Sequence, residues 1–174
     1  YGTVLENVYI NPYTREPELV FGFGGTIEYK GFDLSAYFTG AARTSTFFED
    51  RTFWPFASGM GFFNVFKEIY DNRWTPETAG AAKYPVVTDG FNVQSMRRST
   101  VWQKDASYLR LKNLEVGYTL PKKVVSKLKI NNLRVFVNGT NLYTWDKINH
   151  TIDPESDNWY PIQRAVNFGL AVDF

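Results

Sequence analysis

The chain has 174 residues, 44% hydrophobic and 18% aromatic (15 Phe, 11 Tyr, 5 Trp), enough for one domain of ordinary size. Nineteen basic against 18 acidic residues leave a net charge of +1, which argues against the basic patch that a nucleic-acid partner requires. It holds no cysteine, hence no disulfide framework, thiolate metal site or thiol nucleophile.

No apolar run approaches the ~18 residues of a transmembrane helix. A transmembrane barrel stays open, because its half-polar strands escape hydropathy scans. Residues 1–17 carry two prolines and an Asn-Pro signal and read as loop. No charged segment followed by an apolar stretch opens the chain, so either a signal has been removed or this is the C-terminal piece of a longer protein. We favour the second reading. "LVFGFGGTIEYK" then alternates with period two, setting Leu19, Phe21, Phe23, Gly25, Ile27 and Tyr29 on one face. Gly31 makes a tight connection, and "FDLSAYFTGAAR" resumes the alternation with Phe32, Leu34, Ala36 and Phe38 opposite Asp33, Ser35, Tyr37 and Thr39. Strands are therefore expected at about 18–30 and 32–43.

Residues 44–106 form a long connection rich in Pro, Gly and Trp, with a helix expected at 61–71 from the spacing of Phe62, Val65, Phe66, Ile69 and Tyr70. So long a connection should be functional or count against the assignment. A third strand runs over 107–120. Leu109 and Leu111 share one parity, whereas Leu114, Val116, Tyr118 and Leu120 share the other, so a bulge is expected near Lys112-Asn113. Pro121 ends it. The turn that follows carries Lys122, Lys123, Lys127 and Lys129, read as a solvated cap. A fourth strand at 133–146, a loop at 147–163 and a closing strand at 164–174 complete the chain. In the closing strand Val166, Phe168, Leu170, Val172 and Phe174 alternate with small or polar residues.

The connections alternate short (Gly31), long (44–106), moderate (121–132) and long (147–163). Outer-membrane barrels show this pattern, with short periplasmic turns and longer extracellular loops. The strands are also long enough to cross the hydrocarbon, which takes ~9–11 tilted residues. Tyr29 and Phe32 at one end, and Tyr143 and Trp145 at the other, sit where barrel girdles do. Five strands cannot close a barrel, so the rest must come from elsewhere. The alternative is a soluble all-β carbohydrate-binding module.

"YKGFDLSAYFTGAAR", "WTPETAGAAKYP", "DASYLRLKNLEVGYTLP", "LRVFVNGTNLYTW", "IDPE" and "FGLAVDF" resemble the C-terminal end of the SusC/RagA family of TonB-linked outer-membrane transporters. The resemblance implies an all-β fold, the last five antiparallel strands of a 22-stranded transmembrane barrel in a Gram-negative outer membrane. It implies a plug and N-terminal domains outside these residues, energy supplied through the TonB complex, and a SusD-like surface lipoprotein as lid. The substrates would be oligosaccharides, glycans or oligopeptides, with no enzyme activity and no cofactor. Phe174, Val172, Leu170 and Phe168 match the terminal pattern read by the barrel assembly machinery, and also grease the face toward outer-membrane lipid.

The loop aromatics Trp54, Phe56, Trp74, Tyr84, Trp102 and Trp159 are candidates for contact with substrate or the SusD-like partner; the competing reading is a small core that holds the loop. Glu28, Asp33, Tyr37, Thr39 and Arg43 are expected to face the lumen, toward plug or water. His150, the single histidine, has no Cys or second His nearby in sequence and reads as a solvated loop residue. Asp153, Glu155 and Asp157 faintly resemble a calcium loop, but lack its glycine and distal Glu, and read as a solvated acidic loop.

Overall fold

The computed structural model describes residues 14–48, 53–56, 64–88, 92–93, 95–97, 99–128, 130–148, 152–155 and 162–174. In chain order the elements are β1 (Leu19–Tyr29), β2 (Phe32–Ala42), β3 (Ser45–Phe47), α1 (Lys67–Asp71), β4 (Gln103–Asp105), β5 (Tyr108–Thr119) and α2 (Lys122–Val125). A 3-10 turn (Ser126–Leu128), β6 (Asn132–Asp146) and β7 (Ala165–Asp173) follow. They fall into two compact units, one of residues 1–15 and 45–105, the other of 16–44 and 106–174.

The second unit is one antiparallel sheet in the order β1-β2-β5-β6-β7, each strand beside its sequence neighbour in that unit. The expected strands are all present, at 9 to 15 residues each. Lys30 and Gly31, at φ 49° and 87°, make the two-residue turn between β1 and β2. Positive φ at both positions matches the right-handed twist of the flanking strands.

Register aligns the alternation of all five strands. One row runs Ile27, Leu34, Val116, Val137 and Phe168, and the next Tyr29, Phe32, Tyr118, Val135 and Leu170. This yields a continuous apolar face. At one end Phe32 packs on Tyr118 (ring centroids 4.4 Å apart), and toward the other Phe23 stacks on Phe38 at 5.1 Å while Tyr143 meets Trp145 at 4.8 Å. Aliphatic residues fill the band between. Ile27 is 70% exposed and Phe168 84%, so this face lies bare among the described residues.

The expected bulge is present at Lys112, which the register passes over on both sides. Asn141, at φ 52°, marks a second slip on β6. From Ala36 to Phe38 on β2, from Leu114 to Leu111 on β5 and from Gly139 to Tyr143 on β6 are matching stretches of increasing length. The extra residues keep the apolar side chains in phase across strands of unequal step.

One expectation about the elements needs correction. The helix expected at 61–71 is the five-residue α1; Phe66 is extended (ψ 136°) and α1 begins after it, while residues 61–63 lie outside the described ones. Phe66 instead stacks on Phe53 at 5.5 Å, and Ile69 is buried. The apolar spacing thus serves an aromatic cluster more than a helix. The basic turn, read as a solvated cap, contains α2: Lys122, Lys123 and Lys127 are exposed, while Val125 is buried. The first unit also holds a two-stranded sheet, β3 with β4, at the two ends of the long connection.

Candidate functional site on the polar face

The face opposite the apolar one carries a hydrogen-bonded ladder across four strands. Arg134 on β6 donates from Nε to Asp33 Oδ1 on β2 at 3.0 Å, from a terminal nitrogen to Asp33 Oδ2, and to Glu115 Oε1 on β5 at 2.6 Å. Asn138 donates to Glu115 Oε2 (3.3 Å), and Asn167 on β7 to Asn138 Oδ1 (3.0 Å). Arg134 reaches past β5 because Gly117 stands between: a Cβ there would lie 2.5 Å from both Asp33 carboxylate oxygens. The guanidinium also covers the Phe136 ring at 4.9 Å. Tyr37 of β2 lies over Gly22 of β1, where a Cβ would meet its hydroxyl at 2.6 Å.

A second cluster involves Arg110, which is 1% exposed. Its Nε donates to Thr144 Oγ1 at 2.9 Å, and its terminal nitrogens to Glu155 at 2.7 Å and Asp153 at 2.6 Å. Lys112 stands 3.7 Å from Glu155, and the Glu155 N–H donates to Asp153 Oδ1 at 2.9 Å. The reading of a solvated acidic loop is therefore corrected for Asp153, which lies mostly buried against the guanidinium; Glu155 stays exposed while paired to it. Removing Arg110 costs about 3–5 kcal/mol, because the mostly buried Asp153 is left charged without its cation. Asp157 and His150 lie outside the described residues. Among the described residues no group of His, Asp or Glu is placed to hold a metal ion.

Of the expected lumen-facing residues, Glu28, Asp33, Tyr37 and Thr39 share the polar face by register. Arg43 lies just beyond β2 at φ 55°, with its guanidinium 3.6 Å from Glu18. Phe168, Leu170 and Val172 share the apolar face on β7, and Phe174 follows it at 86% exposure.

The loop aromatics divide. Trp102, 1% exposed, donates from Nε1 to the Ser95 carbonyl at 2.7 Å and lies 5.8 Å from the Tyr84 ring, which is also buried. These two build the small core of the first unit and present almost no surface to a ligand. The cavity beside Trp102, lined by Pro55, Ile69, Pro85 and Met96, is about 10 Å³, at most one water in size. Trp74 is 43% exposed. It precedes a turn in which Thr75 and Thr78 bond each other's backbone N–H (2.9 and 3.2 Å), and the Thr75 hydroxyl holds the Glu77 carboxyl below its usual range. Trp54 and Phe56 are half-buried, Phe56 at φ 51°. Trp159, Phe62 and Phe63 lie outside the described residues.

Burial, and secondarily Glu68 at 3.4 Å from its hydroxyl, push Tyr84 up to about 12. Burial lowers Lys104, whose ammonium sits 4.8 Å from the Tyr84 ring centre, with Glu68 opposing. The residues sequence reasoning missed are Arg110, Glu115, Arg134 and Asn138. Their signal was a long polar side chain on the polar parity of an otherwise apolar strand.

No family model matches the chain. It is 30% identical over 177 residues to TonB-dependent receptor P26 of Formosa agariphila, and 27% identical over 159 residues to TonB-dependent receptor P3 of the same organism. Each match covers 91% of this chain but only 17% and 15% of those relatives' length. Among solved structures it is similar to the RagAB peptide importer in its closed-closed state (TM-score 0.72, 27% identity) and to the RagAB peptide transporter (0.71, 25%). Both matches cover 94% of this chain and 18% of theirs.

Gly117→Ala sets a methyl group against the Asp33 carboxylate, so the Arg134–Asp33 link is lost. Asp33→Asn should then cost less in the Gly117→Ala background than in the parent. Urea midpoints of the four proteins of that cycle, made in the full-length protein, measure the coupling; strict additivity would refute it. For Tyr84 the folded value lies above the ordinary 10.0, so the fold binds its proton more tightly. That contribution is complete below pH 10 and lost as pH rises through about 12. Near-ultraviolet circular dichroism across this window should show the first unit loosening, and Tyr84→Phe should flatten the dependence.

Proposed function

Because the chain belongs to the TonB-dependent receptor family, whose members are transporters and not enzymes, we propose that it forms five strands of a large, 22-stranded outer-membrane barrel. The observation that carries this is the bare apolar face. Five long strands in register present aliphatic side chains between aromatic ends, while the opposite face is polar and internally hydrogen-bonded. A soluble carbohydrate-binding module would need that face covered. The outer edges of β1 and β7 have no partner strand among the described residues, and in hydrocarbon each needs one.

In this reading the polar face lines the lumen, with Asp33, Tyr37, Thr39 and Glu28 toward plug or water. The connections at 44–106 and 147–163 are extracellular. Trp54, Phe56 and Trp74 offer aromatic surface to substrate or to a SusD-like lipoprotein, and the buried Tyr84 and Trp102 hold them in place. The alternating ridge Phe168, Leu170, Val172 and Phe174 on β7 serves as the mark read by the barrel assembly machinery. The whole protein imports oligosaccharides or oligopeptides, driven through the TonB complex by parts outside these 174 residues. The similarity to RagAB peptide importers supports a bulky, polar oligomer as cargo.

Leu34→Arg places a charge on the lipid face, which costs about 2–4 kcal/mol near the midplane, whereas Ser35→Arg points into water. Outer-membrane levels of the full-length protein should fall sharply for the first and hold for the second; equal levels would remove the barrel reading. Cells expressing the full-length gene should accumulate labelled oligopeptide or oligosaccharide, and lose that uptake on addition of a protonophore. Uptake of neither class would refute the import function.

A further inference from the structure

Arg110 belongs neither to the ladder nor to the loop aromatics, yet it is among the most deeply buried charges in the second unit. Three faces of its guanidinium are used at once: Nε by Thr144 of the neighbouring strand, one terminal nitrogen by Glu155 and the other by Asp153. Those carboxylates come from the β6–β7 connection, more than forty residues along the chain. The bond from the Glu155 N–H to Asp153 Oδ1 sets the two side chains at a fixed spacing before they meet the arginine. Lys112, the bulged residue of β5, adds a second cation, and the Tyr108 ring lies 5.4 Å from the guanidinium carbon. Two cations thus face two carboxylates.

We infer that Arg110 is the pin of a strap: residues 152–155 are held down on the polar face of the sheet, where they form part of the channel wall near its outer mouth. This rests on the barrel reading, in which that face lines the lumen and the β6–β7 connection lies at the outer end. Register places Arg110 level with Thr39 and Thr144, toward the strand ends remote from the Lys30-Gly31 turn. With its charges balanced, the strap narrows the mouth without adding net charge there. Arg110 acts by positioning this segment, not by touching cargo.

The 174 residues hold no cysteine, so accessibility can be read at one introduced thiol. Ile152→Cys, beside the clamp, is placed in a full-length, otherwise cysteine-free protein and treated in intact cells with a membrane-impermeant maleimide. Labelling should be slow in this parent. It should become at least about tenfold faster on adding Arg110→Gln, because an ion pair that has lost one partner opens far more readily. The double change Asp153→Asn with Glu155→Gln tests the same clamp from outside the sheet, should Arg110→Gln fail to assemble. Equal labelling rates in the parent and in assembled variants would overturn the strap. A separate Leu34→Cys protein, on the lipid face, should stay unlabelled; rapid labelling there would overturn the barrel reading itself.

Discussion

The constraint on which the proposed barrel depends is that backbone N–H and C=O groups in hydrocarbon must be paired within the protein. A sheet meets it only if each strand keeps its ladder unbroken over the full crossing, and lipid tolerates only apolar side chains on the face it touches. Both demands fall on the same residues. A one-residue slip turns every apolar side chain of a strand inward, so register and face are a single condition. The five strands satisfy it together: each apolar row is continued by its neighbours, with no charged side chain interrupting a paired row.

The slips at Lys112 and Asn141 show how the sheet meets that condition although its strands are not of equal step. In a regular strand Leu111 and Leu114, three positions apart, would point to opposite faces; the bulge brings them to one. The slip leaves Lys112 outside the pairing pattern, where it can turn to Glu155. Glycine solves a related problem on the other face. At Gly117 the missing side chain opens a path for Arg134 to reach Asp33 two strands away, and Gly22 and Gly24 leave the space that the Tyr37 ring fills. Small residues on the polar face are therefore where long side chains lie flat and tie strands together.

Much of this was legible in the sequence, because period-two alternation is a local signal. The five strands, the turn at Gly31 and the bulge at Lys112-Asn113 all follow from parity, and the bulge shows because the parity of the leucines changes across it. The slip on β6 did not show. Gly139 and Tyr143 are an even number of positions apart, so parity is unchanged although Asn141 is at positive φ. The two ion clusters were out of reach for another reason. Asp33 and Arg134 are 101 positions apart, and Arg110 and Asp153 are 43, so only register and loop path bring them together. The short helices failed through length: four or five residues cannot display a helical period, and at Phe66 apolar spacing reflected aromatic packing.

The two arginines show how one residue type serves two ends. Arg134 keeps 25% of its side chain exposed and shares its charge with Asp33 and Glu115, themselves partly solvated. Water screens each link, so the ladder is redundant, and its value lies in direction: it fixes the lateral spacing of four strands more than it adds stability. Arg110 is sealed from water and its partners sit on a connection, not on a paired strand. There the guanidinium depends on its carboxylates, since losing them leaves an uncompensated charge in a dry site, although Glu155 itself reaches water. A sheet already held by its backbone ladder can rely on many weak cross-ties. The described segment 152–155, which pairs with no strand, is held instead by one strong tie, and burial is what gives a single arginine that strength.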